Sequence, residues 1–200
     1  MKEFMETFEK NFNNFIDEVK KMEEKLVERM KGKKKAPEVG DVVEISGIRW
    51  IILDKTELGY HAITEEFISL STQFDSDKND WRISELREYL NGEFMDKLEE
   101  EMLQEFERDL TSLDGQTEYG TCMDKVSLLT VDEYRKYRKN LPNTNKWWWL
   151  ITPWSTPCND WERAVAVVSP SGNIGDCNCN DDDGVRPFCI FKSSIFESEE

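Results

Sequence analysis

The stretch from Trp147 to Phe191 constrains the fold most strongly, because short apolar runs alternate there with long polar segments. The apolar runs are Trp147–Leu150, Ala164–Val168 and Val185–Phe191, and the polar segments surround Cys158–Trp161 and cover Ser171–Gly184. Apolar runs of this length, bounded by turn-forming residues, predict buried strands. Long loops are uncommon in compact domains and are usually functional or disordered. Because these two are anchored between strands, the pattern predicts a binding surface.

The acidic balance of the chain limits its partners. The formal net charge is −16; residues 1–37 carry 10 Lys and Arg against 8 Asp and Glu, so the rest of the chain carries 16 against 34, or −18. A field of this sign repels phosphate backbones, so nucleic acid is not an expected partner. A hydrophobic content of 38%, with seven Trp and eleven Phe, predicts a packed core.

No part of the sequence predicts insertion into a membrane. No wholly apolar run is longer than the five residues of Trp147–Ile151, which is far too short to span a bilayer. The N-terminal residues are charged and amphipathic, without the apolar centre of a secretory signal. We therefore expect a cytoplasmic location, and we expect the five cysteines to be reduced thiols rather than a disulfide framework.

Residues 1–31 predict one amphipathic helix with a seam of two apolar positions per heptad, typical of a coiled coil. The seam residues are Met5, Phe8, Phe12, Phe15, Val19, Met22 and Leu26. About three heptads are marginal for an independent coiled coil, so the alternative is a helix that packs its Phe face on its own domain. The basic linker at residues 32–37 separates the helix from the next domain, which favours self-association.

From residue 38 onwards the pattern indicates a mixed α+β domain. Val42–Ile45, a Ser46-Gly47 turn and Ile48–Leu53 predict a β-hairpin, and Tyr60–Thr64 predicts a third strand. The later elements are helical segments at 80–98, 99–109 and 131–139 and a strand at 125–129, with Ser84 as an N-cap and Leu86, Tyr89, Leu90 and Phe94 on one helical face.

His61 is the single histidine of the chain, and it falls on the predicted third strand. Its uniqueness excludes a metal site built from several histidines, and any Ser/His triad not centred on it. A half-exposed strand position is the expected setting.

Five motifs occur in an order that resembles a known family. They are Gly47–Leu53, Leu86–Phe94, Asp124–Leu129, Trp148–Leu150 and Gly184–Pro187. Over residues 38–192 the chain resembles functionally uncharacterised bacterial and phage domains of the DUF6273 type, whose members are similar to C-type lectins in fold. The resemblance implies a C-type-lectin-like domain of mixed antiparallel sheets with two helices, placed between the N-terminal helix and an acidic tail at 193–200. It also implies a phage particle as an alternative location.

This sequence departs from the family pattern at two places. Ile151–Trp154 stands where the family commonly has Arg-Ser-Pro-Gly, and Pro187–Cys189 stands where it commonly has Pro-Ala-Leu.

The C-terminal segments are similar to the variable proteins of diversity-generating retroelements. In those systems adenine-directed mutagenesis randomises Asn codons, and the products cannot encode Met, Trp, Gln, Lys or Glu. These five types make up 60 of the 200 residues, so a random window of 28 would hold about eight, whereas Ala164–Phe191 holds none. Strands and turns disfavour Lys and Glu in any case. The residue usage is consistent with diversification.

Three chemical alternatives compete with plain binding. Asn180–Gly184 offers oxygen ligands for Ca²⁺, although its spacing is not that of an EF-hand and an Asx-rich turn explains it equally. Zinc could bind Cys158, Cys177, Cys179 and Cys189, but the spacing typical of zinc loops is missing. A related fold hosts formylglycine-generating oxidases with paired cysteines, yet the aspartates around Cys177 and Cys179 would raise their pKa values.

The sequence thus favours a non-enzymatic binding module without cofactor, metal or catalytic residues, which recognises a protein or other macromolecular surface through loops 154–163 and 172–183. A metal- or thiol-dependent enzyme is the alternative. Trp154 and Trp161 are the expected aromatic anchors. The predicted binding residues are Trp154, Ser155, Cys158, Asn159, Asp160, Trp161, Arg163, Asn173, Asp176, Cys177, Asn178, Cys179, Asn180 and Asp182.

These binding residues require a rigid support, which we call the frame and which we expect to be buried. The frame residues are Trp148, Trp149, Leu150, Val165, Val167, Val185, Arg186 and Phe188.

Overall fold

The computed structural model describes residue 16, residues 18–22 and residues 36–196. Residues 16 and 18–22 are helical, and the other positions of the predicted seam lie outside the described residues, as do most of the linker and residues 197–200 of the tail. Residues 37–195 form one compact unit, which holds every strand of the described chain. This unit is α+β, with mostly strands and few, short helices.

The predicted hairpin and third strand are confirmed. β1 (Val42–Ile45) and β2 (Ile48–Thr56) pair antiparallel, and β3 (Gly59–Thr64) pairs with β2. The two turn residues Ser46 and Gly47 have φ angles of 53° and 73°. Positive φ at both positions is the geometry of a type I′ turn, whose twist matches that of the flanking strands.

A six-stranded sheet forms around the last strand of the chain. Its order is β1-β2-β3-β13-β5, and β8 also pairs with β13. The added strands are β5 (Leu103–Gln104), β8 (Val126–Ser127) and β13 (Phe188–Phe191). All four residues of β13 are buried, so the C-terminal apolar run is the centre of this sheet.

The acidic stretch 99–109 is not helical, and the prediction of a helix there is wrong. A 3₁₀ turn at Glu100–Met102 leads into β5, and Phe106–Asp109 forms β6, which pairs with β7 (Thr121–Asp124) in a two-stranded sheet. Phe106 and Arg108 are buried while their neighbours are exposed. This alternation has the period of a strand, and it outweighs the helix propensity of the glutamates.

The second sheet has the order β11-β10-β9-β12-β4. Its strands are β4 (Ser69–Thr72), β9 (Trp148–Pro153), β10 (Ala164–Val168), β11 (Ile174–Asn178) and β12 (Asp183–Val185).

The second sheet corrects two predictions. The polar segment 171–184 is not one long loop, because β11 lies within it. The apolar run 185–191 is not one strand, because Arg186-Pro187 separates β12 from β13 and sends them into different sheets.

Within residues 37–195 the two α-helices are short and have side-chain caps. α1 (Glu85–Tyr89) begins after Ser84, whose hydroxyl accepts from the N–H of Arg87 as predicted, and continues through a π-type turn at Leu90–Phe94. α2 (Val131–Tyr137) begins with a capping box between Thr130 and Glu133. Each cap satisfies backbone donors that a helix start leaves free.

One hydrophobic cluster joins both large sheets to α2, with buried side chains from β2, β3, β9, β10 and β13. The predicted burial of the frame is confirmed, since none of its eight residues is more than 2% exposed. Of the three consecutive tryptophans, Trp147 is 41% exposed and the other two are buried. The guanidinium of Arg186 lies 5.3 Å from the Trp148 ring and donates to the carbonyl oxygen of Thr64 at 2.8 Å.

Candidate functional site

Residues 154–163, which we call the Trp161 loop, connect β9 to β10 and carry a large exposed aromatic side chain. A 3₁₀ turn at Pro157–Asn159 ends at Asp160, which has a left-handed backbone (φ 57°). Trp161 follows directly and is 53% exposed, whereas Trp154 is partly buried. An exposed indole offers a large apolar area, together with one N–H donor, that a partner could cover.

The loop is fixed from below by the buried side chain of Asn79. Its amide nitrogen donates to the carbonyl oxygens of Ser155, Trp161 and Ala164 at 2.9, 3.0 and 2.7 Å. Its amide oxygen accepts from the hydroxyl of Tyr119 at 2.7 Å. One side chain therefore contributes hydrogen bonds to backbone carbonyls at both ends of the loop, in addition to the backbone bonds from Trp154 N–H to Ala164 and from Ala164 N–H to Trp161.

Two carboxylates hold the outer side of the Trp161 loop. Asp114 accepts from the Ser155 hydroxyl at 2.7 Å and from the Asn159 amide at 2.9 Å, and Glu118 accepts from the Cys158 thiol at 3.2 Å. Hydrogen bonds from Ser112 and Ser155 lower the pKa of Asp114, and the hydrogen bond from Cys158 lowers the pKa of Glu118. Both groups are therefore anions at neutral pH.

The protein surface has two shallow depressions beside Trp161, and the Trp161 side chain contributes to the lining of both. One, of about 260 Å³, is lined by Asp114, Trp154, Ser155, Asn159 and Trp161. The other, of about 370 Å³, is lined by Asp160, Trp161, Glu162, Arg163, Ala164 and Asn178. The structure thus brings the predicted residues of 154–163 together with Asn178.

The turn after β11 lies beside the second depression. Arg163 pairs with Asp77 at 2.9 Å, and its carbonyl oxygen accepts from the N–H of Cys179 at 2.7 Å. The carbonyl oxygen of Asn180 accepts from the Gln73 side chain at 2.9 Å. Asn178, Asn180 and Asp182 are exposed, as a contact surface requires.

Two predicted binding residues lie beneath the surface. Ser155 is 3% exposed and Cys179 is 0% exposed. Ser155 points to Asp114, and the carbonyl oxygen of Cys179 accepts from the N–H groups of Phe74 and Asp75. Their hydrogen bonds tie the surface segments to the rest of the unit. Cys179 therefore positions the surface and does not form it, while Ser155, although buried, still lines the smaller depression.

Asn173 does not belong to this cluster. It lies in the turn between β10 and β11, where its N–H donates to Ser169 Oγ, at the opposite end of β10 from Trp161. Five strand residues span roughly 17 Å. Asp176 is exposed midway along β11, and Cys177 is partly buried there.

Cys177 and Cys179 are poor nucleophiles at neutral pH. Burial, together with the hydrogen bond to Asp183, raises the pKa of Cys177 to about 12. Burial also raises the pKa of Cys179. These directions agree with the sequence-based expectation, although burial is the larger cause. All five cysteines are free, and the described residues contain no group of three or more His, Cys, Asp or Glu side chains placed to hold a metal ion.

Sequence reasoning missed the residues that hold the site in place. Asn79, Asp114 and Tyr119 lie 35 or more residues before the loop. An Asp-Gly pair such as Asp114-Gly115 is typical of a turn, and nothing in the local pattern indicates that its carboxylate reaches Ser155. Only the tertiary fold brings these segments together.

Comparison of the chain with protein-family models, with curated proteins and with solved structures gave no significant match. Among the described residues, no helix is long and apolar enough to cross a membrane.

Proposed function

We propose that this chain is a non-enzymatic binding module that contacts a protein surface through the Trp161 loop and the adjoining residues 178–182. The observation that carries the proposal is the 53% exposure of Trp161 on a loop whose backbone is held by Asn79. Aromatic side chains contribute much of the binding free energy in interfaces. A loop that is already ordered loses little conformational entropy on binding.

The polar groups around Trp161 suit the outer part of an interface. Asn159, Asp160 and Asn178 are exposed, and such residues form adaptable hydrogen bonds around an aromatic centre. A thiol-dependent enzyme is less well supported, because a thiol with a pKa of about 12, as at Cys177, is almost wholly protonated at neutral pH.

Selection from a random-peptide display library on the immobilised full chain tests the proposal. We expect enriched peptides whose binding is lost with Trp161→Ala. Trp147→Ala is the matched control, since Trp147 is also exposed (41%) and lies outside both depressions. The proposal fails if no peptide is enriched, or if Trp161→Ala retains the same peptides.

We further propose that the domain has a C-type-lectin-like fold and is diversified like the variable proteins of retroelements. The three asparagines within residues 164–191 are Asn173, Asn178 and Asn180, and all are exposed. Substitution at these positions would change the surface and spare the frame, which supports diversification. A nearby reverse-transcriptase gene, with a near-copy of the 3′ coding segment differing mainly at adenines, would support it. An intact locus lacking both would refute diversification and leave a fixed binding module possible.

A further inference from the structure

The smaller depression beside Trp161 combines two indoles with one carboxylate. Trp154, Trp161 and Asp114 line it together with Ser155 and Asn159, and its volume is about 260 Å³. The faces of aromatic rings carry negative charge and attract cations, most strongly in tryptophan. A carboxylate in the same depression adds to that attraction. This is the composition of a site for an organic cation.

Within the part of the chain that the structure describes, Asp114 is an anion without a counter-charge. Among the residues that the structure describes, no Lys, Arg or His forms a salt bridge with it. Its hydrogen bonds come from the neutral donors Ser112, Ser155 and Asn159, which lower its pKa and keep it ionised. The charge of Asp114 is therefore available for Coulomb attraction to a positively charged ligand that enters the depression between the two aromatic rings.

We propose that this depression is a subsite for an alkylammonium group, namely the end of a lysine side chain on a protein partner. This inference rests on the proposed function and names the chemistry that the Trp161 loop recognises. The volume suits one side-chain end and lies below the range of drug-sized pockets, which begins at about 300 Å³.

Lysine fits this subsite better than arginine. Both carboxylate oxygens of Asp114 already accept hydrogen bonds, Oδ1 from Ser112 and Oδ2 from Ser155 and Asn159. The parallel two-bond pairing that arginine makes with a carboxylate needs a free lone pair on each oxygen, and the two bonds that Oδ2 accepts leave it none. An ammonium group acts as a compact charge and does not need that geometry.

The second depression argues for a protein partner over a free amine. Asp160 and Glu162 line it on the other side of Trp161, and the cation that also lines it, Arg163, is paired with Asp77, so the acidic surface continues beyond the subsite. The charge of −18 outside residues 1–37 attracts basic segments to this domain. A basic, lysine-containing segment could occupy both depressions, whereas a small amine would use one.

Nitrogen–proton correlation spectra of the full chain test the subsite directly. The indole N–H signals of Trp154 and Trp161 are assigned from Trp154→Phe and Trp161→Phe. The probe is N-acetyl-lysine methylamide, and its neutral counterpart is N-acetyl-norleucine methylamide. Sodium chloride at equal ionic strength controls for screening, and tetramethylammonium chloride represents a free quaternary amine.

We expect the lysine derivative to shift both indole signals saturably, with a Kd on the order of millimolar, and the norleucine derivative and salt to leave them in place. Asp114→Asn should weaken binding about fivefold. Asp77→Asn, which removes a charge that Arg163 already pairs, should change it by less than about twofold. Thermal melts establish that each variant is folded. Trp154→Leu is a second variant that should weaken binding of the lysine derivative, because it removes one indole from the subsite and leaves Asp114 in place.

Four outcomes would overturn the subsite. The first two are indole signals that do not shift with the lysine derivative, or that shift equally with the norleucine derivative. The third is an affinity for the lysine derivative that stays unchanged in both Asp114→Asn and Trp154→Leu. The fourth is binding of tetramethylammonium but not of the lysine derivative, which would assign the depression to a free amine. The two proposals remain distinguishable. Library peptides that depend on Trp161 but lack lysine would refute only the subsite, whereas lysine binding without enriched peptides would refute only the macromolecular partner.

Discussion

The side-chain amide of Asn79 donates a hydrogen bond of 2.7 Å to the carbonyl oxygen of Ala164, 85 residues later in the chain. The same nitrogen contacts the carbonyl oxygens of Ser155 and Trp161, so its two hydrogens serve three acceptors. The carbonyl oxygens of Ala164 and Trp161 also accept from the backbone N–H groups of Trp154 and Ala164, at 2.9 and 3.4 Å, whereas for Ser155 the Asn79 amide is the donor that the described residues supply. The conformation of the Trp161 loop thus depends on a residue outside it.

Asn79→Ala should lower the free energy of unfolding by about 2–3 kcal/mol, because the carbonyl of Ser155 and the Tyr119 hydroxyl lose their partner and the carbonyls of Trp161 and Ala164 each lose one of two donors. Urea unfolding measures the change. Asn173→Ala is the matched control; Asn173 is exposed, and its loss should cost no more than about 0.5 kcal/mol. An unchanged midpoint for Asn79→Ala would show that the loop does not need this amide.

The frame and the loop should respond differently to loss of a tryptophan. Trp149 is 0% exposed, packs on Phe74 at 5.8 Å and donates from Nε1 to the carbonyl oxygen of Thr72 at 2.7 Å. Trp149→Ala should cost about 3–5 kcal/mol, and Trp161→Ala about 0.5 kcal/mol. Chemical unfolding of both variants decides the matter, and comparable losses would contradict the division into frame and loop.

Much of the strand structure could be predicted from the sequence, because it depends on local patterns. Ser46-Gly47 fixed the first turn, and the uninterrupted apolar run Ala164–Val168 marked a buried strand. A helix was wrongly predicted at 99–109 because glutamates, which favour helices, dominate its composition. The strand is indicated only by the alternating burial of Phe106 and Arg108, which the sequence does not show. β11 was missed because an edge strand needs few apolar residues.

The site was only partly predictable for a related reason. The exposure of Trp161 follows from a polar loop between buried strands, and that could be anticipated. The burial of Ser155 and Cys179 depends on contacts with Asp114 and Phe74, which lie far away in sequence. Pairwise contacts across 40 or more residues leave no periodic signal, so no local pattern reveals them.

Acid should destabilise the domain through His61. Its Nε2 lies 3.0 Å from Thr56 Oγ1, and its buried Nδ1 has no hydrogen-bond partner within the described residues. Burial lowers the pKa of His61 below its ordinary 6.5; Asp54 and Glu133 act in the opposite sense, while Lys136 and Arg108 lower it further.

A lowered pKa in the folded state means that the unfolded chain binds more protons between the two pKa values. The free energy of unfolding should therefore fall as the pH drops from 6.5 through the pKa that His61 has in the folded state. Below that pKa, the contribution of His61 should no longer change with pH. Urea unfolding across this range, with His61→Gln as the comparison, measures the effect. Parallel pH profiles for the two proteins would show that His61 does not contribute.

The thiols should alkylate in an order set by exposure and pKa. Cys158 is exposed and should react first with iodoacetamide at pH 8, whereas Cys177, with a pKa of about 12, holds about one thiolate in ten thousand at that pH. The buried Cys179 and Cys189 should react only after unfolding. Mass spectrometry of timed samples gives the order, and Cys158→Ser should remove the fast phase alone. Rapid labelling of Cys177 in the folded protein would contradict its raised pKa and restore the thiol-dependent enzyme as the leading alternative.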